Sequence, residues 1–432
     1  MRFRAIEVTT ATGGRLVGPD VELDGVSFDS RTVAPGQLFV PLVAERDGHE
    51  FVGDALARGA GAYLTARPAG DGSAIEVADT LQALMDLARV LRRQRFAGPV
   101  VGITGSVGKT STKDLAVAAI AASRRVHANE RSFNNDQGLP TTILATPADA
   151  EVLVVEMGMR GPGEIARLCT IATPRLGVVT RVAEAHGDLL GGTLGVARAK
   201  GELVEALPAD GVAILNADDE RVLAMRSRAA APVLTYGESP TADVRIAGVS
   251  LDELARPSFT AHTPWGTVAV RLGVSGRHMA SNAAAALAIA GAVDADVAAA
   301  ADALATAGLS PMRMQLVRTV SGGVIVEDCY NANPTSMRAA LAALAELPAT
   351  RRRALLGLMA EIPEAPATHR AIRAEAEALG IEVLAVGTDL YGIDPVDDPA
   401  AAIGALAGGD ALLVKGSRVV GLERWVVVLQ AM

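Results

Sequence analysis

The chain has 432 residues, which is too long for a single hydrophobic core and predicts two to four domains. Half of the residues are hydrophobic and only 3% are aromatic, which is typical of alanine- and valine-rich helices and strands. The formal net charge of −9 argues against a general binder of nucleic acid or of an anionic membrane, because either would need a basic face. Any phosphate ligand must therefore be held by local geometry.

The cysteines and the hydrophobic stretches indicate a cytoplasmic protein. Cys169 and Cys329 are far apart in the sequence, which predicts a reducing compartment and no disulfide framework. The first residues lack the apolar core of a signal peptide. Three aspartates interrupt the alanine-rich stretch 283–308, so we expect no membrane insertion.

Residues 1–98 are predicted to form a small α/β module. Pro35 and Gly36 predict a turn, and the apolar run 37–42 behind it predicts a buried strand. Helices are expected over 51–59 and 81–95, where apolar residues recur at helical spacing.

The segment 99–122 is the most informative part of the chain. An apolar run ends at Ile103, a small glycine-containing loop follows, and Lys109 and Thr110 precede a predicted helix over 111–122. A strand, tight loop and helix in this order direct backbone N–H groups and a helix N-terminus at one anionic group. The lysine can reach the β- and γ-phosphates and the threonine hydroxyl can bind Mg²⁺, so a nucleoside triphosphate is the expected ligand.

Apolar strands alternate with helices over residues 99–311, the second predicted domain. The expected strands cover 100–104, 152–158, 176–182 and 211–216, and their continuous apolar runs are typical of a parallel sheet covered on both faces. Glu156, Thr180 and Asn216 follow strands, and the carboxyl ends of parallel strands line one crevice. A β-rich segment is expected over 240–275.

The third predicted domain covers residues 312–432. Strands are expected over 324–327, 353–358, 382–386 and 411–414, with helices between them. The basic run 351–353 is interpreted as a solvated edge of the sheet.

Motifs from all three units together resemble the ATP-dependent Mur ligases of peptidoglycan assembly. The order and spacing of these motifs carry the resemblance, because no single short motif would suffice. They are Asp29-Ser-Arg31, Thr104-Gly-Ser-Val-Gly-Lys-Thr110, Asn134-Asn-Asp-Gln-Gly-Leu-Pro140, Glu156-Met-Gly158, Glu184-Ala-His186, Ala199-Lys-Gly-Glu-Leu203, Asn216-Ala-Asp-Asp219, Gly276-Arg-His278, Met312-Arg-Met314, Asp328-Cys-Tyr-Asn-Ala-Asn-Pro334 and Lys415-Gly-Ser-Arg418.

The resemblance implies an α/β fold with the three-domain Mur ligase architecture. A UDP-substrate domain would cover 1–98, a central ATP-binding domain with a P-loop-type parallel sheet 99–311, and a C-terminal Rossmann-like domain 312–432. The implied reaction is ATP-dependent peptide-bond formation through an acyl phosphate. The implied substrates are UDP-N-acetylmuramoyl-tripeptide and D-alanyl-D-alanine. We expect a monomer and no nucleic-acid partner.

The resemblance also implies a metal and phosphate site for two Mg²⁺ ions. The residues expected to carry catalysis are Lys109, Glu156, His186, Lys200 and Arg313, and the expected metal ligands are Thr110, Glu156, His186 and Lys200. In the family the lysine of the Ala-Lys-Gly-Glu motif is carbamylated by CO₂, which makes a carbamate on Lys200 an expectation. From the residues alone, a lysine close to a glutamate on a helix is normally part of a solvated face, and a lone histidine is more often structural than bound to a metal.

The remaining implied contacts are to ATP and to the substrates. ATP would be bound by the loop residues Gly105, Ser106, Val107, Gly108, Lys109, Thr110 and Ser111, and by Asn135, His278, Asn282, Arg313, Asp328, Asn331 and Asn333. The substrates would be bound by Ser30, Arg31, Lys415 and Ser417. Without the resemblance, the segment 331–334 also fits a plain helix N-cap turn.

Two other functions stay open. Met279 and Leu358 depart from the family pattern near the adenine and acceptor contacts, so a related amide ligase with another amino acceptor is one alternative. The chain carries no Asp-Asn-Pro-Arg motif, and its phosphate loop follows a module of about a hundred residues. Both features favour the D-alanyl-D-alanine reaction. A non-catalytic ATP-binding regulator is the second alternative.

Overall fold

The computed structural model describes residues 1–130, 133–183, 192–360, 362 and 366–432. Within these ranges the strands form one sheet of two strands, two sheets of five strands and one sheet of nine strands. No helix in the described ranges is long and apolar enough to cross a membrane.

Residues from the N-terminus to Arg95 form a two-stranded sheet (β1, β3) and a five-stranded sheet in the order β2-β7-β6-β5-β4. The strand β5 is shorter than predicted because Pro41 has no N–H to continue the ladder. The strands are Arg2–Arg4 (β1), Arg15–Val17 (β2), Glu22–Asp24 (β3), Val26–Ser27 (β4), Leu38–Phe39 (β5), Ala62–Thr65 (β6) and Ala74–Glu76 (β7), and the helices are Ala5–Thr12, Val52–Ala57 and Thr80–Arg95.

The nine-stranded sheet has the order β16-β15-β14-β13-β12-β11-β8-β10-β9. Strands β8 to β14 run parallel, and β14, β15 and β16 form an antiparallel extension. The strands are Val100–Thr104 (β8), Val126–Ala128 (β9), Val152–Glu156 (β10), Leu176–Val179 (β11), Val212–Asn216 (β12), Val233–Gly237 (β13), Val244–Leu251 (β14), Pro257–Thr263 (β15) and Gly266–Arg271 (β16).

Helices follow most of these strands. They are Lys109–Ala121, Gly138–Leu144, Glu164–Ala172, Gly192–Lys200, Glu202–Glu205, Glu220–Leu223, Met279–Ala292 and Val297–Ala303. The helix Met279–Ala292 is buried almost all round and packs against Lys109–Ala121. Its alanine side chains allow this close approach, which explains the composition of a stretch that resembles a membrane span.

The second five-stranded sheet has the order β17-β18-β21-β19-β20, with β17 antiparallel to its neighbour and the other strands parallel. Its strands are Gln315–Arg318 (β17), Val324–Glu327 (β18), Arg351–Leu356 (β19), Glu382–Ala385 (β20) and Asp410–Lys415 (β21), and its helices are Pro334–Glu346, Pro366–Ala378, Pro399–Ile403 and Glu423–Gln430.

Apolar contacts join the units. The helix Thr80–Arg95 packs against Gly138–Leu144, and its buried Leu84 and Leu87 belong to the same hydrophobic cluster as Leu139 and Ile143. Phe28 contacts Phe133 edge-on, with ring centroids 5.9 Å apart. The N-terminal unit is therefore docked beside the loop that carries Asn134 and Asn135.

The interpretation of 351–353 as a solvated edge is wrong for Arg353. Its side chain is only 2% exposed, and Nη1 donates to the carbonyl oxygen of Ile403 at 2.6 Å. Arg351, on the same face of β19, is exposed and pairs with Glu382 at 2.8 Å. Arg353 lies two residues deeper, where the backbone around Ile403 covers it.

The two arginines should therefore differ in their contribution to stability. Arg353→Ala should lower the free energy of unfolding by about 2–4 kcal/mol, because it removes a buried donor and leaves a cavity. Arg351→Ala should cost less than about 1 kcal/mol, because exposed ion pairs contribute little. Urea-induced unfolding measured by circular dichroism compares the variants, and equal losses would contradict this assignment.

Candidate active site

The phosphate loop lies at the carboxyl edge of the nine-stranded sheet, between β8 and the helix Lys109–Ala121. Glycine is required at two positions. A Cβ on Gly105 would lie 1.9 Å from Oγ1 of Thr180, and a Cβ on Gly108 would lie 2.8 Å from Oδ1 of Asn282. Gly108 also has a φ of 85°, which favours glycine. The loop is therefore fixed against the neighbouring strand end and the alanine-rich helix.

Lys109 is the first residue of the helix that follows the loop. Its Nζ donates to the carbonyl oxygen of Gly105 at 2.8 Å, so the ammonium group lies across the loop. The side chain is half-buried. A cation at this position, together with the N-terminus of a 13-residue helix, creates a site for an anion.

A buried carboxylate lies next to the loop at the end of β10. Glu156 is 1% exposed, and its oxygens accept from Oγ1 of Thr110 at 2.8 Å and from Nδ2 of Asn134 at 2.7 Å. Its backbone N–H donates to Oδ1 of Asn129 at 2.9 Å. Both side-chain partners are neutral, and a hydroxyl beside a carboxylate is a set of hard oxygen ligands that suits Mg²⁺.

Arg313 reaches the loop from the linker that leads into the C-terminal sheet. Its Nη2 donates to Oγ1 of Thr110 at 3.4 Å, and its guanidinium lies over the ring of Tyr330, 4.3 Å from the centroid. Stacking on an aromatic ring fixes the plane of the guanidinium. The arginine therefore faces the same hydroxyl as Glu156 does, from the opposite domain.

A second charged pair lies at the carboxyl ends of β18 and β21. Lys415 is 1% exposed; its Nζ lies 2.5 Å from Oδ2 of Asp328 and 3.0 Å from the carbonyl oxygen of Asn331. Burial lowers the pKa of the nearby His278 to about 4, although Asp328 opposes the shift. His278 is therefore neutral at pH 7 and can both donate and accept hydrogen bonds.

These groups line two adjoining cavities. The first, of about 400 Å³, is lined by the loop, the alanine-rich helix and the C-terminal domain. The second, of about 560 Å³, is lined by Leu81 of the N-terminal unit, by Glu156 and Arg160, and by Tyr330. Ser106, Lys109, Arg313 and Asn331 line both cavities.

Most residues predicted for ATP or metal binding are brought together here. Ser106, Val107, Gly108, Lys109, Thr110, Ser111, His278, Asn282, Arg313, Asp328, Asn331 and Asn333 line the first cavity, and Gly105, Asn135, Glu156 and Lys200 line the second. Lys415, which was predicted to bind a substrate, also lines the first cavity. Lys200 is 5% exposed at the end of the helix Gly192–Lys200, so it does not lie on a solvated face.

Other predicted residues have local partners. Asn333 is the N-cap of the helix Pro334–Glu346, and its side chain accepts from the N–H of Ser336. Ser417 is buried, and its Oγ accepts from the N–H of Ala360 at 2.8 Å. Ser30 and Arg31 line neither cavity, and Arg31 pairs with Asp29 at 2.7 Å. His186 lies outside the described residues.

Sequence reasoning missed several residues at the site. Asn129 follows the short strand β9, which the sequence pattern did not reveal. Tyr330 was part of a quoted motif but had no assigned role. Position shortly after the predicted strand 324–327 was an available signal for Tyr330, whereas Asn129 had no such signal because β9 was not predicted. The described residues contain no cluster of three or more His, Cys, Asp or Glu side chains that could hold a metal ion.

The fold and the site define a nucleotide-binding α/β protein with a phosphate loop between a parallel sheet and a C-terminal Rossmann-like domain. Family models support this class: the Mur ligase middle domain matches residues 103–290, and the Mur ligase glutamate ligase domain matches residues 312–418.

The chain belongs to the Mur ligase family and, within it, to the MurF ligases. It is 41% identical over 425 residues to the UDP-N-acetylmuramoyl-tripeptide--D-alanyl-D-alanine ligase of Mycobacterium tuberculosis H37Rv, covering 91% of this chain and 83% of the relative.

Solved structures agree with this membership. MurF from Acinetobacter baumannii superposes with a TM-score of 0.89 at 27% identity, covering 100% of this chain and 99% of the neighbour. MurF from Thermotoga maritima, solved in complex with ADP, gives a TM-score of 0.83 at 27% identity, covering 94% and 97%. The expected three-domain Mur ligase architecture is confirmed.

Proposed function

We propose that this protein uses ATP to join D-alanyl-D-alanine to UDP-N-acetylmuramoyl-tripeptide through an acyl phosphate. The observation that carries the proposal is the convergence of Lys109, Glu156 and Arg313 on the hydroxyl of Thr110 and its loop. The names of the relatives support the choice of substrates.

The first cavity suits ATP. The loop amides and Lys109 would hold the phosphates. Asp328 lines the cavity from the C-terminal domain, where its carboxylate can accept a hydrogen bond from a ribose hydroxyl. The neutral His278 and the amide of Asn282 would lie near the base. The Thermotoga maritima neighbour was solved in complex with ADP, which supports an adenine nucleotide as the ligand.

The second cavity suits the two reacting substrates. Residues of the N-terminal, central and C-terminal parts line it, so a nucleotide-linked acid and an incoming amine can meet there. In the proposed reaction the tripeptide carboxylate attacks the γ-phosphorus, and ADP leaves. The dipeptide amine then attacks the acyl carbon, and phosphate leaves with the bond electrons.

The chain must bring two anions together, so positive charge at the loop is the main requirement. Lys109 and the fork of Arg313 would stabilise charge on the transferring phosphoryl group. Thr110 and Glu156 would hold Mg²⁺, which when bound neutralises phosphate charge and orients the oxygens. Glu156 is 1% exposed and lines the second cavity.

Several finer assignments are part of the proposal. We place the domain boundaries near residues 98 and 311. These boundaries separate the N-terminal sheets, the nine-stranded sheet and the second five-stranded sheet from one another. Ser30 and Arg31 would contact the UDP moiety on the N-terminal unit. Because ATP and a UDP-linked acid are the substrates, we place the reaction in the cytoplasm.

The first test is the substrate dependence of phosphate release. The wild-type protein should release phosphate from ATP only when both UDP-N-acetylmuramoyl-tripeptide and D-alanyl-D-alanine are present. Lys109→Ala should lower the rate by at least about 100-fold, because it removes a cation from the phosphate site. Arg351→Ala, at the exposed start of β19, should leave the rate nearly unchanged.

The alternatives give different outcomes in the same assay. Phosphate release with another amino acceptor would indicate a related amide ligase. ATP binding with no release under any combination of substrates would indicate a regulator. Equal losses in the Lys109 and Arg351 variants would show that the site is misplaced.

We also propose that Lys200 carries a carbamate that helps to bind a second Mg²⁺. Its side chain is almost fully buried and lines the second cavity, which Glu156 also lines. A deprotonated lysine amine is nucleophilic toward CO₂, and the resulting carbamate is an anion with oxygen ligands.

The carbamate makes the activity depend on bicarbonate. Removal of CO₂ should lower the ligase rate, and added bicarbonate should restore it. Lys200→Ala should lower the rate by at least about tenfold and abolish the bicarbonate response, because a metal ligand is lost. Full activity of Lys200→Ala would exclude the carbamate.

A further inference from the structure

The linker that carries Arg313 has an unusual backbone. Met312 and Met314 on either side of it have φ values of 61° and 49°, in the left-handed region that non-glycine residues rarely adopt. Such residues cost about 1 kcal/mol or more each and persist only where their surroundings hold them. Specific contacts must therefore hold this segment.

The contact on the central-domain side is made by Asp114. Its Oδ2 accepts from the backbone N–H of Ser310 at 2.7 Å, and its Oδ1 accepts from the Ser310 hydroxyl at 3.1 Å. The Asp114 side chain is 12% exposed. A carboxylate that accepts two hydrogen bonds from one residue fixes both its position and its orientation.

Asp114 lies four residues after Thr110 on the phosphate-loop helix, so the two side chains share one helix face. Thr110 meets the guanidinium of Arg313, and Asp114 holds the linker three residues before it. The helix therefore contacts both the guanidinium of Arg313 and the linker backbone at Ser310.

Asp114 is itself held from the other side. Lys113 is 4% exposed, and its Nζ lies 2.9 Å from Oδ1 of Asp114. The same Nζ donates to the carbonyl oxygen of Asn129 at 3.0 Å, and Asn129 accepts from the backbone N–H of Glu156. The support of the linker is thus connected to the carboxylate of the metal and phosphate site.

We propose that Asp114 is a positioning residue for phosphoryl transfer, which sets the reach of Arg313 by anchoring the linker at Ser310. Asp114 touches neither the phosphates nor the metal in this assignment, because it acts through Arg313. The inference rests on the proposed function, since the role proposed for Arg313 is to stabilise the γ-phosphoryl group during its transfer.

The test combines Asp114 variants with a double-mutant cycle. Asp114→Ala should lower kcat by about 10- to 100-fold, because small misplacement of a catalytic group has effects of this size. The KM for ATP should change far less, since the loop that binds the phosphates stays intact. Ser310→Ala, which removes one of the two hydrogen bonds, should give a smaller loss of kcat in the same direction.

The decisive comparison is with Arg313→Ala. If Asp114 acts through Arg313, the double variant Asp114→Ala/Arg313→Ala should be no slower than Arg313→Ala alone. Multiplicative losses would overturn the proposal and assign Asp114 a separate structural role. Asp252→Ala is the matched control, because Asp252 also accepts two hydrogen bonds, here from the backbone N–H groups of Leu254 and Arg256, but lies in an exposed turn. Its kcat should equal that of the wild type.

A structural readout separates this inference from the proposed function. In a crystal structure of Asp114→Ala, Arg313 should have moved away from Thr110, whatever reaction the protein catalyses. An unchanged contact between Arg313 and Thr110 would overturn the positioning role. A wild-type protein without ligase activity, combined with a displaced Arg313 in the variant, would contradict only the proposed function.

Discussion

The hydroxyl of Thr110 is the point on which the site depends. It donates to Glu156 at the end of β10 and lies within reach of Arg313 from the opposite domain. The position of this hydroxyl is set by the glycines of the loop and by the start of the helix Lys109–Ala121. One side-chain oxygen of the loop therefore hydrogen-bonds both the carboxylate of Glu156 and the guanidinium of Arg313.

This arrangement solves an electrostatic problem for a chain whose net charge is −9. The chain cannot attract a triphosphate by its overall field, so it gathers a few cations and helix N–H groups at one sheet edge. Lys415 contributes differently, because Asp328 pairs with it and neutralises it within the fold. Lys109 and Arg313 consequently remain the cations that face both cavities.

The parallel strands and the phosphate loop were predictable from the sequence because their signals are local. Continuous apolar runs predicted β8, β10, β11 and β12, and the small residues before Lys109 predicted the loop. The strands β9 and β13 were missed, since β9 is a short edge strand of half-buried residues and β13 is interrupted by polar side chains. Arg353 was misjudged because charge does not reveal how deep a position lies in a strand.

The contacts of Asp114 could not be predicted in the same way. Its partner Ser310 is 196 positions away, and an aspartate after a lysine on a helix also fits a solvated pair. Only the fold brings the phosphate-loop helix to the linker before Arg313. Motifs therefore identified residues that line the two cavities, whereas the residues that support them are brought into place only by tertiary contacts.

The most direct measurement is a crystal structure with the non-hydrolysable ATP analogue AMP-PNP and Mg²⁺. The triphosphate should lie on the loop 105–110, with the terminal phosphate between Lys109 and Arg313 and the metal beside Thr110 and Glu156. A triphosphate bound elsewhere, or an Arg313 that faces away from it, would contradict the account.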